Sequence, residues 1–273
     1  WTQLWLAREP KEVVDEIEEY IRKYDISNVD FYDLTAIIKR QWIIDFSKEL
    51  IHRNINITWQ LPSGTRSEAI DKEVAEYLYR SGCRNLNYAP ESGSIETLKN
   101  IKKKIKIPNL LQSLKDSVKA GLNVKMNIII GLPDEKHLNI WQTLWFLVKL
   151  SWHGAHDVSI GVFAPYPGSE DYNRLVHDGK IDHSDHYFNK LAYVDITETV
   201  SYSRFVSAGW LKLYNFLGFT FFYGSNYLFR PLRAYRTLLN LVTGKHDSRG
   251  EMALAALIKR KLTFEKLTTT NKL

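Results

Sequence analysis

Apolar positions along this chain switch between a helical and an extended period. In PKEVVDEIEEYIRKY (10–24), Val13, Val14, Ile17 and Ile21 share one face behind a first-turn proline, which predicts an amphipathic helix. NVDFYD (28–33) then reads as a strand, RQWIIDFSKELIHR (40–53) as a helix and INITWQLP (55–62) as a second strand. SEAIDKEVAEYLYRSG (67–82) predicts a helix with acidic first turns and Gly82 at its end. RNLNYAPES (84–92) is a third strand with its exit, followed by helices over 95–101 and 109–120, the second closed by Gly121. NVKMNIIIGLP (123–133) is the most strand-like stretch of all. A Trp-rich helix follows over 138–151, and HDVSIGVFAPYPGS (156–169) is a fifth strand with its exit loop.

Strands alternating with helices of this length mean parallel βαβ units, and right-handed crossovers then give either an open doubly wound sheet or a barrel. The uncommon residues follow the strands: Asp33, the Ser63-Gly64-Thr65-Arg66 turn, Glu91-Ser92, Gly131-Leu132-Pro133 and Pro165-Tyr166-Pro167-Gly168. The turns that lead from helix to strand, Ser81-Gly82 and Ala120-Gly121, are plain. In parallel α/β proteins the carboxyl ends of the strands share one rim, where ligands bind, so five exits are expected to converge on one site. Glu91 stands on that rim, where a carboxylate can accept two hydroxyl hydrogen bonds from a ribose or another diol. Ser92-Gly93-Ser94 would let the backbone turn tightly into the next helix, with Ser94 as its N-cap. The alternative, that Glu91 only caps that helix, stays open on position alone.

Three segments taken in order, RSGCRNLNYAPESGSIETLKNIKKKI, AGLNVKMNIIIGLPDE and FAPYPGSEDYNRLVHDGKI, resemble the radical S-adenosylmethionine (radical SAM) superfamily. The best fit is the subgroup that often carries an upstream cobalamin-binding domain and includes anaerobic cyclases and methylases. The resemblance implies an incomplete (β/α)6 TIM-like barrel of parallel strands over 1–182, with a mostly helical, basic, aromatic-rich extension over 183–273. S-adenosylmethionine would lie across the carboxyl ends of the strands. Asp33 would meet its methionine amino group, although the family's Gly-Gly-Glu form is absent here. Arg66 would meet the methionine carboxylate, Glu91 with Ser92 the ribose, and Ile130, Gly131 and Pro133 would border the adenine. Tyr166 either borders the substrate or packs at the barrel mouth. The implied activity is formation of a 5′-deoxyadenosyl radical that attacks a small-molecule substrate, or cobalamin-assisted methyl transfer or cyclisation.

One departure matters. The family holds a 4Fe-4S cluster on three cysteines at C-x-x-x-C-x-x-C spacing, and thiolates are what bind and tune such a cluster. Here the single cysteine, Cys83, sits in a helix-to-strand turn at the opposite end of the barrel. The expectation is therefore that the cysteine loop and first strand lie upstream of Trp1 in a longer parent. On that view these residues contain no catalytic or metal-binding group and the chain alone is inactive. The rival is a cluster-free inactive homologue or binding module on the same barrel. A metal-independent barrel lyase has less support, since no lysine or carboxylate pair stands at the strand ends in an obvious arrangement.

Composition changes the picture only towards the end of the chain. The 273 residues are 44% hydrophobic and 25% charged, ordinary for a soluble globular protein, and one cysteine excludes a disulfide framework. The net charge of +6 is uneven: from Ser201 onward 12 Lys and Arg face 3 Asp and Glu, while 25 face 28 before it. A basic tail either meets an anionic surface such as a membrane or is a solvated appendage. LYNFLGFTFFYGSNYLF (213–229) holds 17 uncharged residues, at the bottom of the range for spanning a bilayer and rich in polar residues. We expect a cytoplasmic protein in which 211–236 either touches a membrane surface or packs on the barrel or an upstream domain. A helix from Pro231 to Gly244 and a last one over 249–261 are predicted, with a frayed TTTNKL end. HDGKIDHSDH (177–186) reads as a solvated loop rather than a metal site. KNIKKKIK (99–106) reads as a solvated helix end without the aromatics that stack bases, so no nucleic-acid partner is expected. Trp141, Trp145 and Trp152 fall near helical spacing and predict core or interface packing.

Overall fold

A computed structural model describes residues 6–33, 37–192 and 199–245, with 251–252, 254–256 and 259. Strands β1 (Asn28–Asp30), β2 (Thr58–Thr65), β3 (Cys83–Glu91), β4 (Asn123–Ile130) and β5 (Asp157–Val162) form one sheet in that spatial order. Every neighbouring pair is parallel. Helices α1 (Pro10–Tyr24), α2 (Arg40–His52), α3 (Lys72–Arg80), α4 (Ile95–Asn100), α5 (Ile107–Ala120) and α6 (His137–His153) precede or connect them. The sheet stays open among the described residues, with β1 and β5 as its outer strands. This is the α/β arrangement of an incomplete barrel.

Boundaries differ from the pattern reading in three places, the first being β1, which ends at Asp30 instead of running to Asp33. β2 begins at Thr58 and continues through Thr65, so the Ser63-Gly64 turn expected at its exit lies inside the strand. The helix predicted over 67–82 is divided into a short 3-10 turn (Ser67–Ala69) and α3. Asp71 causes the division: its side chain accepts from the Val74 N–H at 3.0 Å and starts α3 afresh as an N-cap.

Period-two alternation sorts the sheet into unlike faces. β4 buries Val124, Met126, Ile128 and Ile130, and their counterparts on β2 and β3 are Trp59, Leu61, Leu86 and Tyr88. Helices cover this face; the Tyr88 hydroxyl reaches Ser113 and Ser117 of α5 at 2.9 and 3.0 Å. The other face is polar across the first three strands. Gln60 donates to Asp30 at 2.7 Å, Asn85 donates to Gln60 at 2.7 Å, and Asn87 follows on the same side.

Beyond β5, α7 (Glu170–His177) and α8 (Asp185–Ala192) form a small satellite core in which Leu175 and Ile181 pack with Tyr187. Helix α9 (Ala208–Phe229) shares the main core of the sheet and lies along α6 and β5. Its buried face holds Leu211, Tyr214, Asn215, Gly218, Phe222 and Asn226. Asn215 and Asn226 donate at 2.8 Å to the carbonyls of Ile160 and Ala155, so the amides bind backbone along the outer strand. Covering an outer strand this way removes a template for unwanted pairing. Of the two roles open to 211–236, packing on the barrel therefore accounts for this face of α9, and among the described residues no helix is long and apolar enough to cross a membrane. Trp141, Trp145 and Trp152 are interface rather than core: all are exposed, and each ring meets an aromatic of α9.

Helix α10 (Pro231–Thr243) starts at its proline and ends at Gly244 as the pattern predicts. The last predicted helix and the TTTNKL end lie largely or wholly outside the described residues.

Candidate functional site

The strand exits build the site. Asp30 pairs with Gln60, Thr65 with Tyr88, and Glu91 with Ile128, so Asp33, Arg66, Glu91 and Gly131 all leave the sheet at its carboxyl end. The exits of β3 and β4 are tied together most tightly. Glu91 ends β3 with φ 67°, left-handed backbone that costs free energy in a residue other than glycine and is concentrated at functional sites. Its half-buried carboxylate accepts from the Lys103 ammonium at 3.1 Å. Ser92 is fully buried and shares a 2.9 Å hydrogen bond with Thr143 of α6, whose hydroxyl also accepts from the Gly93 N–H at 3.1 Å. Ser94 caps α4 as expected, accepting from the Thr97 N–H. Gly93 is glycine because α6 presses on it: an added Cβ would lie 2.3 Å from the Cβ of Phe146.

Glu135 is the hinge pin of the neighbouring exit, and the sequence reading passed over it. Its carboxylate is buried, accepts from the Gly131 N–H at 2.7 Å, and is reached by the Thr97 hydroxyl of α4 at 3.4 Å. Burial pushes its pKa up to about 7, against the pull of the Gly131, Leu132 and Thr97 donors. One side chain therefore braces the β4 exit against the helix that follows Glu91. The same loop is laced from outside. The Pro133 carbonyl accepts from the Arg204 N–H at 2.9 Å, and the Glu135 carbonyl accepts from the Ser203 hydroxyl at 3.0 Å. Gly131, at φ 83°, lies under Leu211, whose Cδ1 stands 2.8 Å from where a Cβ would be. The segment leading into α9 is thus a wall of this exit.

The remaining candidates are placed as follows. Pro133 is buried in the braced loop. Ile130 is buried with Val124 and Ile128 on the helix-covered face, and its carbonyl accepts from the Phe163 N–H. By alternation it is Ile129, half-buried, that shares the polar face with Asn127 and Lys125. Arg66 is exposed beyond β2. Asp33 is exposed beyond β1 and lines a cavity of about 420 Å³ between α1, β1 and α2, beside Asp30, Phe31, Phe46 and Trp59. That cavity includes neither Arg66, Glu91 nor Gly131. Tyr166 is exposed at the β5 exit and donates to the Leu191 carbonyl at 3.2 Å. One further group faces the polar side with spare capacity. Asn87 is 8% exposed and donates to the Pro62 carbonyl at 2.7 Å, but its Oδ1 has no partner among the described residues. Strand parity was the signal that could have found Asn87 and Ile129.

Cys83 is buried at the first residue of β3, the opposite end from these exits, and burial pushes its thiol pKa up. That is the reverse of a thiolate ligand, so the single cysteine of this chain does not fit an iron–sulfur cluster. Among the described residues no group of His, Cys, Asp and Glu could hold a metal ion. His183 instead meets the Tyr172 hydroxyl at 2.7 Å. The lysine run is paired as well as solvated, Lys102 with Glu170 and Lys103 with Glu91.

Compared with known proteins, residues 4–147 match the family model of the radical SAM superfamily. An uncharacterized methyltransferase of Pyrococcus horikoshii is 27% identical over 60% of this chain and 35% of its own length. The anaerobic magnesium-protoporphyrin IX monomethyl ester cyclase of Rubrivivax gelatinosus is 24% identical over 62% of this chain and 30% of its own. The chain thus spans about a third of the length of these curated relatives. Among solved structures, a radical S-adenosylmethionine methyltransferase from Kitasatospora setae, with cobalamin and a [4Fe-4S] cluster bound, aligns at a TM-score of 0.48. The identity is 16%, covering 57% of this chain and 31% of that one.

Proposed function

This chain belongs to the radical SAM superfamily, and from that premise we propose that its β3 and β4 exits hold the adenosine half of S-adenosylmethionine. The observation that carries the reading is the joined pair of exits: Glu91 in left-handed backbone, linked through Thr97 and Glu135 to Gly131. A carboxylate accepts both hydroxyls of a ribose, and Ser92, buried against Thr143, holds the turn that aims it. The turn at Gly131 and Pro133, with Ile129 rather than the buried Ile130 behind it, offers an apolar border to an adenine. Lys103 holds the Glu91 carboxylate near the rim until hydroxyls replace part of that contact. Asp33 and Arg66 are proposed for the methionine end, from the exits of β1 and β2. Tyr166 is proposed for the substrate side at the β5 exit. Unpartnered, Asn87 Oδ1 supplies an acceptor on the polar face that a bound polar group can use.

For the whole enzyme we infer methyl transfer or ring cyclisation of a small molecule, the activities named for the curated relatives. A 4Fe-4S cluster, when bound, would supply the electron that starts radical chemistry, on thiolates that are not among these 273 residues; cobalamin and its domain enter only through the subgroup resemblance. This chain's own residues bind and orient the nucleotide and keep the rim shaped. The test is calorimetric titration of S-adenosylmethionine into the protein and into Glu91→Gln. Losing a charge-assisted acceptor pair should weaken binding by about tenfold or more. Equal affinity would remove Glu91 from the site.

A further inference from the structure

We propose that the outer face of α10, together with the end of α9, docks on an anionic lipid bilayer surface. The helix is turned inside out relative to a packed amphipathic helix. Leu232, Tyr235, Leu238, Leu239 and Val242 are all exposed, Leu232 at 82% and Val242 at 87%. Leu228 continues the stripe on α9 at 76%, with exposed Trp152 beside Phe229. The polar residues point inward instead. Arg230 donates to the carbonyls of Ser151 and Trp152 at 2.6 and 2.9 Å, and Arg233 to those of Ala155 and Gly154 at 3.0 and 3.1 Å. Arg230 thus satisfies two of the last acceptors of α6 near its negative dipole end, and Arg233 ties down the two carbonyls that follow the helix. Further along, Thr237 and Asn240 donate to buried Glu251 at 2.7 and 3.0 Å. His156, between the Val124 N–H and the Arg233 guanidinium, is pushed down to about 3 by burial first and then by the arginines. Polar contacts therefore fix the roll of α10, and among the described residues nothing covers its apolar stripe. A contiguous exposed apolar patch of this kind marks an interaction surface.

Charge selects the occupant. From Ala208 to Lys245 the sequence holds no Asp or Glu, and besides the inward Arg230 and Arg233 its cations are Lys212, Arg236 and Lys245. Exposed Arg236 stands between the apolar positions, with Lys245 just beyond the helix. Lysine and arginine flanking an aromatic and aliphatic stripe suit a bilayer interface with anionic headgroups, where long cationic side chains reach the phosphates. A second copy of this chain fits less well: it would bring two acid-free basic faces together, and 13 residues are too few for a sustained coiled-coil seam. The face also lies by α6's C-terminal end and the start of β5, away from the strand exits. Lipid there leaves the rim open.

The test mixes residues 1–273 with sedimenting vesicles of phosphatidylcholine alone and of phosphatidylcholine with about 30% phosphatidylglycerol. Binding is expected only to the anionic vesicles, and it should fall sharply between about 0.1 and 0.5 M salt. The double variant Leu232→Gln/Val242→Gln should bind them about tenfold more weakly. Both side chains are exposed, so its circular dichroism and melting temperature should match the parent, as should its S-adenosylmethionine affinity. The proposal fails if anionic vesicles do not bind at low salt, or if the variant binds them equally. It fails too if sedimentation equilibrium shows a lipid-free dimer that the same substitutions dissolve, which would give the face to a second copy.

Discussion

The rim around Glu91 and Gly131 and the opposite end around α10 solve one problem in contrary ways. Both turn polar side chains inward onto backbone. At the rim Glu135 takes the Gly131 N–H, Thr143 takes the Gly93 N–H, and Asn139 accepts from the Lys136 N–H at 2.9 Å. At the other end Arg230 takes closing carbonyls of α6, and Arg233 takes those of Gly154 and Ala155 just after it. What they leave outside differs. The rim leaves Glu91 in left-handed backbone, with the carboxylate of Asp33 and the guanidinium of Arg66 exposed at separate strand exits. The far end leaves leucine, valine and tyrosine. Inward polar contacts thus set geometry in both places, while the outward residues suit the partners proposed above, a polar nucleotide at one and a lipid surface at the other.

The largest effect should come from breaking the rim's packing. Gly93→Val places a side chain where an added Cβ already lies 2.3 Å from Phe146 and 3.0 Å from the Gln142 carbonyl. We expect a loss of roughly 3 kcal/mol or more, read from chemical denaturation; a variant as stable as the parent would mean that α6 does not press on this turn. Next comes Glu135. Its pKa is about 7 when folded against the usual 4.5, so between those values the folded state holds more proton than the unfolded one. Stability should therefore fall as pH rises through that window, by up to about 3 kcal/mol, and Glu135→Gln should flatten the slope. A parent already flat from pH 5 to 8 would contradict the buried, braced carboxylate. At the far end, Arg233→Met nearly keeps the volume but removes the donors to the carbonyls of Gly154 and Ala155 after α6. A loss of about 1–2 kcal/mol is expected, seen as a lower denaturation midpoint. No change would mean that α10 is held by other contacts.

Much of this was legible in the chain itself. The βα order, the Ser94 cap, the Gly121 terminus and the rim position of Glu91 follow from period and turn chemistry, which are local. Less local properties escaped. Asp71 splits a predicted helix because a cap outweighed the apolar run on either side of it. Ile129 and Ile130 are equally apolar, and only strand parity says which one faces the polar side. Glu135 reads as a turn acid in GLPDE, since burial comes from α4 and the segment before α9, distant in sequence. The roll of α10 depends on arginines meeting carbonyls near residue 151, which no pattern within 231–243 contains.

Hydrogen exchange with and without S-adenosylmethionine tests the central claim most directly. Nucleotide held by the paired exits should slow exchange at residues 90–94 and 130–135 together, and at a ligand concentration near the parent's Kd Glu91→Gln should weaken both protections in step. Protection confined to the cavity between α1, β1 and α2, with those two turns unchanged, would contradict the account.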